Sequence, residues 1–378
     1  MNFNVSPAAA AFASTLRQWA SARPSGAPRP SGFDAAAWRA LADLGLLSAV
    51  LPALAGGQAA GAADLVSAME ALGQGGADRG LLFALGAHLF GCAVPLTRHG
   101  RAEQIAAWAG SLASGAVVGA LAVTEPGGGS SFAGLRTTAV KDKDGYRLHG
   151  TKTLVCNAPQ AGLFVILASE SAERGPFGLT AFLVPSDTPG LTVSPILPTA
   201  GLPGAPMGEV RMDGCAVPDS ALLGRPGSGL KVFMTAMGWE RGCLLAGALG
   251  AAQRELALCA TALSQRGVAQ HQAVSHRLAR VKMRLDTARL TLWHAAWSLD
   301  NGREDPSLYA AAKISISEAL VACATDMVTV LAGQGWRGEP FDAAGALADT
   351  MGGLFASGTT EALLDLIGRT LQNSGRRA

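Results

Sequence analysis

The chain has 378 residues, more than one hydrophobic core usually organises, so two or three domains are expected. Charged residues make up 15% and the formal net charge is +2, with arginines scattered, which argues against a nucleic-acid-binding face or an acidic tail. The six cysteines, Cys92, Cys156, Cys215, Cys243, Cys259 and Cys323, form no C-x-x-C pair and read as buried free thiols of a reducing compartment, the cytoplasm.

Met1 to Ala22 lacks the basic start of a signal peptide, and no window of 18 uninterrupted apolar residues marks a membrane span. Pro7 to Ala22 carries Phe12, Leu16 and Trp19 at helical spacing, and Pro24 to Ser31 is a Pro/Gly/Ser linker. Asp34 can cap the next helix, which carries Trp38, Leu41 and Leu44. Helices are predicted over Ala62–Leu72, Arg79–Phe90 and Arg101–Leu112. From Val117 the period changes. Short strand-like runs follow at Val117–Val123, Tyr146–Leu148, Leu163–Ala168, Thr180–Val184, Leu191–Val193 and Glu209–Met212, broken by Gly, Pro and Asp, the pattern of a small barrel or sandwich. After Leu223–Gly227 the chain is helical again. A helix runs from Gly229 through Leu244. Val274, Leu278, Val281, Leu285, Ala288, Leu292, Ala295 and Leu299 then alternate by four and three residues, one apolar stripe of an antiparallel bundle. Pro306–Leu331 supplies another long helix.

Thr124-Glu125-Pro126-Gly127-Gly128-Gly129-Ser130-Ser131 follows the first strand. Consecutive glycines let backbone N–H groups approach a ligand closely, so the loop suits a phosphate or the edge of a flat cofactor; a plain turn is the alternative. It is neither G-x-G-x-x-G nor a Walker loop. Together with Gly150-Thr151-Lys152 and Asn157, the loop resembles the middle-domain motifs T-E-P-x-x-G-S-D and G-x-K-x-[WY]-I-[ST]-N of the acyl-CoA dehydrogenase family. Trp38–Leu46, Leu51-Pro52, Gly56-Gly57, His99-Gly100, Gln104, Glu240-Arg241, His271-Gln272, Gly333-Gln334-Gly335 and Ser357-Gly358-Thr359 fall in the family's order, nearly end to end.

The resemblance implies an α+β multidomain fold: an N-terminal helical domain (1–116), a central β-barrel (117–227) and a C-terminal four-helix bundle (228–378), with FAD between barrel and bundle. It implies α,β-dehydrogenation of an acyl thioester: a carboxylate takes the α-proton and flavin N5 takes the β-hydride. Thr124, Gly129, Ser130, Leu154 and Cys156 match positions around the flavin, and Arg266, Gln334, Gly335 and Thr359 match further cofactor positions. No metal site is expected. Several positions depart from the family pattern. Leu154 replaces a ring-packing aromatic; this either opens the flavin edge to oxygen or is repacked by a neighbour such as Phe164. The R-x-x-F-G loop is shortened to Arg266–Gln270, and Ala348-Asp349 replaces Arg-Asp. His149 reads as a turn histidine, and Asn157 as a support of its loop.

The usual base sits in a motif resembling Y-E-G-T, but here Ser357 stands at the Glu position. A second family location, resembling the isovaleryl and long-chain branches, places the base before an arginine of the bundle. Glu240-Arg241 matches it, with Trp239 and Leu244 making an apolar neighbourhood; the alternative is a surface helix glutamate. Adjacent helical residues diverge by roughly 100°, so Arg241 does not simply neutralise Glu240. Ser357 and Arg241 are then substrate-binding. If Glu240 is not the base, Glu361 and Glu125 come next. The carrier is coenzyme A or an acyl carrier protein, the electron acceptor an electron-transfer flavoprotein or oxygen, and the protein a homodimer or homotetramer. A flavin-dependent oxygenase or oxidase, or a non-catalytic thioester-binding homologue, is the alternative function on the same fold.

Overall fold

The computed structural model describes residues 3, 5–23, 31–129 and 135–375. The chain opens with α1 (Pro7–Ser21), α2 (Ala35–Asp43), α3 (Ala62–Gly75), α4 (Arg79–His88), α5 (Val94–His99) and α6 (Ala102–Ala113). Starts follow from capping chemistry. Ser6 and Asp34 accept hydrogen bonds from Ala9 N and Ala37 N, satisfying amides that the first helical turn cannot. A π-helical turn, Leu89–Ala93, joins α4 to α5.

The middle part contains β1 (Val118–Ala122), β2 (Thr138–Asp142), β3 (Gly145–Cys156), β4 (Ala161–Ser169), β5 (Leu179–Pro185), β6 (Leu191–Val193), β7 (Met207–Val217) and β8 (Leu222–Leu223). They form one eight-stranded sheet in the order β6-β7-β3-β2-β4-β5-β8, with β1 parallel to β4. The expected barrel is thus a sheet with β6 and β8 as its ends. His149 lies within β3, paired with Thr138 and Asp213, and not in a turn. On β4, Phe164, Ile166 and Ala168 join an inner core with Phe182 and Val210, while Leu163, Val165 and Leu167 pack beneath Leu96, Leu112 and Val232 of the helices. Burial on both faces explains why this strand reads as an unbroken apolar run.

The C-terminal part holds α7 (Gly229–Cys243), α8 (Ala246–Gln265), α9 (Gln272–Asp300), α10 (Pro306–Leu331), α11 (Gly333–Trp336), α12 (Ala343–Phe355) and α13 (Thr360–Gly375). α7 to α10 pack on one another as a four-helix bundle. The predicted stripe faces the core: Val281, Leu285, Ala288, Leu292 and Ala295 are buried, and Val274, Leu278 and Leu299 pack against them. The two helical parts share this core, since Leu16, Trp38, Leu65 and Leu85 cluster with Trp239, Leu249, Leu285 and Leu320. At the crossing of α3 and α8, a Cβ on Gly73 or Gly250 would overlap backbone of the other helix, so glycine permits the approach.

Arg79–His99, Gly229–Gln265 and Pro306–Leu331 are long and apolar enough to cross a membrane by length and composition, although polar residues interrupt each of them. In the first of them 83% of the most apolar window is buried inside the fold, so its apolarity is used for packing.

Candidate active site

Glu240 stands in the last turn of α7, on a helix whose Val232, Ala236 and Trp239 are buried, Trp239 in the core shared by the two helical parts. Ser357 Oγ donates to Glu240 Oε2 at 2.6 Å. On the opposite side the π-helical turn presents bare backbone: a Cβ on Gly91 would stand 3.2 Å from Glu240 Oε1 and 3.1 Å from Leu121 Cβ. Burial pushes the Glu240 carboxyl up to about 7, while the Ser357 hydrogen bond and the Arg241 charge pull the other way. Cys156, at the end of β3, is half-buried rather than buried. Burial, and then the nearby Glu240 charge, raise its thiol, so Cys156 faces the carboxylate as a neutral group.

Ser357 lies in a tight passage between α12 and α13. Ser357 has φ +57° and Gly358 φ +110°, a left-handed pair that is costly for the serine. Two cations hold the passage. Arg241 Nε donates to Ser357 O at 2.9 Å. Lys313, buried on α10, donates to Leu354 O at 2.9 Å and to Gly358 O at 2.7 Å. Burial, then the Arg241 charge, push the Lys313 ammonium down to about 8. Arg241, expected at the substrate, grips the loop through Nε. Thr359, expected at the cofactor, accepts from Ala362 N at 3.3 Å and caps α13.

The sheet supplies the other wall. Thr153 N donates to Thr124 O at 2.8 Å, which joins the end of β1 to β3, and a Cβ on Gly129 would stand 3.1 Å from Thr124 Cγ2. Thr124, Gly129, Leu154 and Cys156 are thus brought to one edge; Ser130 and Ser131 lie outside the described residues. Leu154 has φ +53°, sits where the β3–β7 register slips, and is 58% exposed. Phe164 does not repack over it, being fully buried on β4 between Ala120 and Val184. Asn157, with φ +67°, donates from Nδ2 to Ala84 O at 2.9 Å and ties the edge to α4, the expected support role.

The other carboxylates are placed for other work. Glu125 is buried and accepts from Lys152 Nζ at 2.8 Å, Arg136 N at 2.6 Å and Thr137 N at 2.9 Å. Burial alone would raise it, but these bonds hold it below the usual range, so it is a poor base. Glu361 is exposed in the first turn of α13.

Arg266, Gln334 and Gly335 form a separate group. Arg266 Nη1 donates to Gln334 Oε1 at 3.2 Å and to Leu331 O at 3.4 Å. Leu331 is 18 residues beyond Lys313 on α10 (331 − 313), ~27 Å along the helix axis. Gly335 is buried against the Leu331 side chain.

The sequence reading missed Lys313 and Gly91. A lone lysine among Ala310, Ala312, Ile314 and Ile316 was the available signal for the first; Gly91 carried none, because α4 reads as a uniform apolar helix.

Comparison with known proteins decides what this arrangement belongs to. Residues 6–116, 120–215 and 227–372 match the N-terminal, middle and C-terminal domains of acyl-CoA dehydrogenase. The L-prolyl-[peptidyl-carrier protein] dehydrogenase of Pseudomonas fluorescens is 39% identical over 346 residues, covering 90% of this chain and 91% of that protein. The chain belongs to the acyl-CoA dehydrogenase family. Among solved structures, the prolyl acyl carrier protein oxidase AnaB superimposes with a TM-score of 0.92 at 30% identity, covering 97% of this chain and 100% of that one. PigA with FAD and proline does so with a TM-score of 0.92 at 31% identity, covering 98% and 99%.

The family's FAD fits the residues present. Leu154 offers exposed apolar surface beside Thr124 and Cys156, and a Cβ at Gly127 or Gly128 would meet nothing within 4 Å, leaving room at the loop.

Proposed function

We propose that this FAD-dependent dehydrogenase removes the α-proton of an acyl thioester with Glu240, and that the acyl group is a prolyl-type amino acid carried on a carrier protein. The observation that supports the base assignment is the Glu240 carboxylate itself, set among Gly91, Cys156 and Ser357 and raised by burial to about 7. A base with a pKa near the working pH combines a usable ionised fraction with real basicity. The relative and the structure named for prolyl carrier proteins support the substrate class, and the PigA structure was solved with FAD and proline.

FAD, when bound, supplies the hydride acceptor. Thr124, Gly129, Leu154 and Cys156 would hold its ring edge, and Ser130 its phosphate side. The residues of this chain do the rest. Glu240, half-buried beside Gly91, takes the α-proton. The backbone N–H of Ser357, presented by the left-handed turn, is the donor for the thioester carbonyl as negative charge develops there. Arg266, Gln334 and Gly335 gather at the end of α10 remote from Lys313. They are assigned to the cofactor of a second copy in a homo-oligomer. Oxygen is a second candidate acceptor, supported by the uncovered Leu154 and by the neighbour described as an oxidase.

Anaerobic mixing of the FAD-loaded protein with an L-prolyl thioester on a phosphopantetheinylated carrier protein, and separately with butyryl-CoA, tests the reading. The prolyl probe should bleach the flavin, and Glu240→Gln should slow that at least ~100-fold, within the range for loss of a general base. Full-rate reduction by Glu240→Gln would overturn the base assignment. Reduction by butyryl-CoA alone would overturn the substrate class.

A further inference from the structure

Glu240 is approached from four directions. From its own helix comes Arg241, whose guanidinium is turned to Ser357 O. From β3 comes the neutral Cys156 thiol. From the π-helical turn comes the uncharged Gly91, with Leu121 of β1 packed beside it. From the passage between α12 and α13 comes the Ser357 hydroxyl, the side chain that donates directly to the carboxylate. Lys313 on α10 reaches the carbonyls of that passage and not the acid.

We propose, on the footing that Glu240 is the base, that the Ser357 hydroxyl is a positioning residue: it keeps the Glu240 carboxylate ionised and fixed in direction, and sets the pH at which α-proton removal begins. The 2.6 Å separation is that of a charge-assisted O–H···O⁻ bond. The chain takes on backbone strain to make it. At φ +57° a glycine would be the easy choice, and a glycine stands at the very next residue, yet position 357 carries a hydroxyl. The passage is pinned at Ser357 O by Arg241 and at Gly358 O by Lys313, so the backbone that carries Oγ cannot drift from Glu240 without breaking part-buried bonds to both cations. The arrangement is a trade. The hydroxyl favours the carboxylate over the acid, which raises the reactive fraction near neutral pH and lowers the intrinsic strength of the base.

That trade gives a signature that damage to the fold does not. Ser357→Ala and Ser357→Gly both keep the backbone amide and lose the hydroxyl; the glycine variant also relieves the left-handed strain. In FAD-loaded enzyme, the pH midpoint of anaerobic flavin reduction by the prolyl thioester should move up by about one to two units in both variants, the size of one hydrogen bond to a charged group. At ~pH 6 the rate should fall roughly tenfold or more, and the deficit should close as pH rises. The infrared carboxyl band lost in Glu240→Gln should titrate with the same upward shift, read without turnover. An unmoved midpoint in both variants, or a rate lowered equally at every pH, overturns the proposal. Full activity in Glu240→Gln would sink the base assignment instead, while the infrared titration still reports whether the hydroxyl governs Glu240.

Discussion

Gly91→Ala puts one methyl group against the base. On the present backbone the new Cβ would lie 3.2 Å from Glu240 Oε1 and 3.1 Å from Leu121 Cβ, where relaxed contacts are about 3.5–4.0 Å. Overpacking of this kind costs about 1–3 kcal/mol. Alanine in place of a helical glycine returns about 1 kcal/mol. The net loss of folding free energy is then between roughly 0 and 2 kcal/mol, only a few degrees in Tm for a chain of this size. The local consequence is larger. Leu121 Cβ is fixed by the pairing of β1 with β4, so the atom free to yield is the carboxylate oxygen, and yielding forces the carboxylate out of its present geometry with Ser357 Oγ. A displacement near 1 Å in a reacting group costs on the order of 100-fold in rate. Thermal unfolding, flavin content and stopped-flow reduction on one preparation separate the two effects. The expected result is retained flavin, a Tm within a few degrees of wild type, and reduction slowed by roughly 10- to 100-fold. Wild-type reduction with a wild-type pH midpoint would mean that Gly91 does not abut the base, and the steric account of the site would fall.

Stability should depend on Glu240 with a definite sign. Its carboxyl stands at about 7 in the fold against 4.5 for the unperturbed group, so between those pH values the native state keeps a proton the unfolded chain has lost, and stability falls as pH rises through the window. Glu240→Gln should therefore match wild type near ~pH 4.5 and exceed it by on the order of 1–3 kcal/mol above ~pH 7 in urea unfolding; an advantage confined to acid pH would contradict the burial account. Static light scattering at micromolar concentration should give a dimer or larger, because Trp336 beside Gln334 is 80% exposed and Met283 and Leu290 on α9 are 67% and 61% exposed, an apolar surface that a second copy would cover. A monomer would remove the second-copy role given to Arg266 and Gln334.

Much of the fold was legible because its signals are local. Asp34 caps α2 as read, the heptad-like stripe of α9 faces the core, and four of the strand runs recur within two residues, while β3 and β7 extend eight and five residues beyond the runs Tyr146–Leu148 and Glu209–Met212. β2 was missed: only Ala139 of its five residues is buried, so no alternation marks it. The joint core of the two helical parts was also invisible, since helix periodicity says which face is buried and not what covers it. At the site, Glu240, Ser357 and Cys156 were found as departures from or matches to a family pattern, and the structure brings them together. Lys313 escaped because its work is done on carbonyls 41 and 45 residues away. No spacing rule reaches that far.

Glu240 and Arg241 adjoin in sequence, and such a pair could have cancelled. A carboxylate gripped by a guanidinium falls well below its ordinary pKa and is useless as a base at neutral pH. The helix prevents this by geometry. Consecutive side chains leave α7 roughly 100° apart, so Arg241 is turned toward Ser357 O while Glu240 turns toward Gly91 and Ser357 Oγ. The guanidinium still acts on the acid through space, but that pull is smaller than the effect of burial, and the carboxyl ends up raised. Arg241 thus serves the base indirectly. It fixes the backbone that carries the hydroxyl that touches the carboxylate. The same cation placed three or four residues away would have shared a face with the base and could have neutralised it. Adjacency lets it hold the loop and leave the base basic.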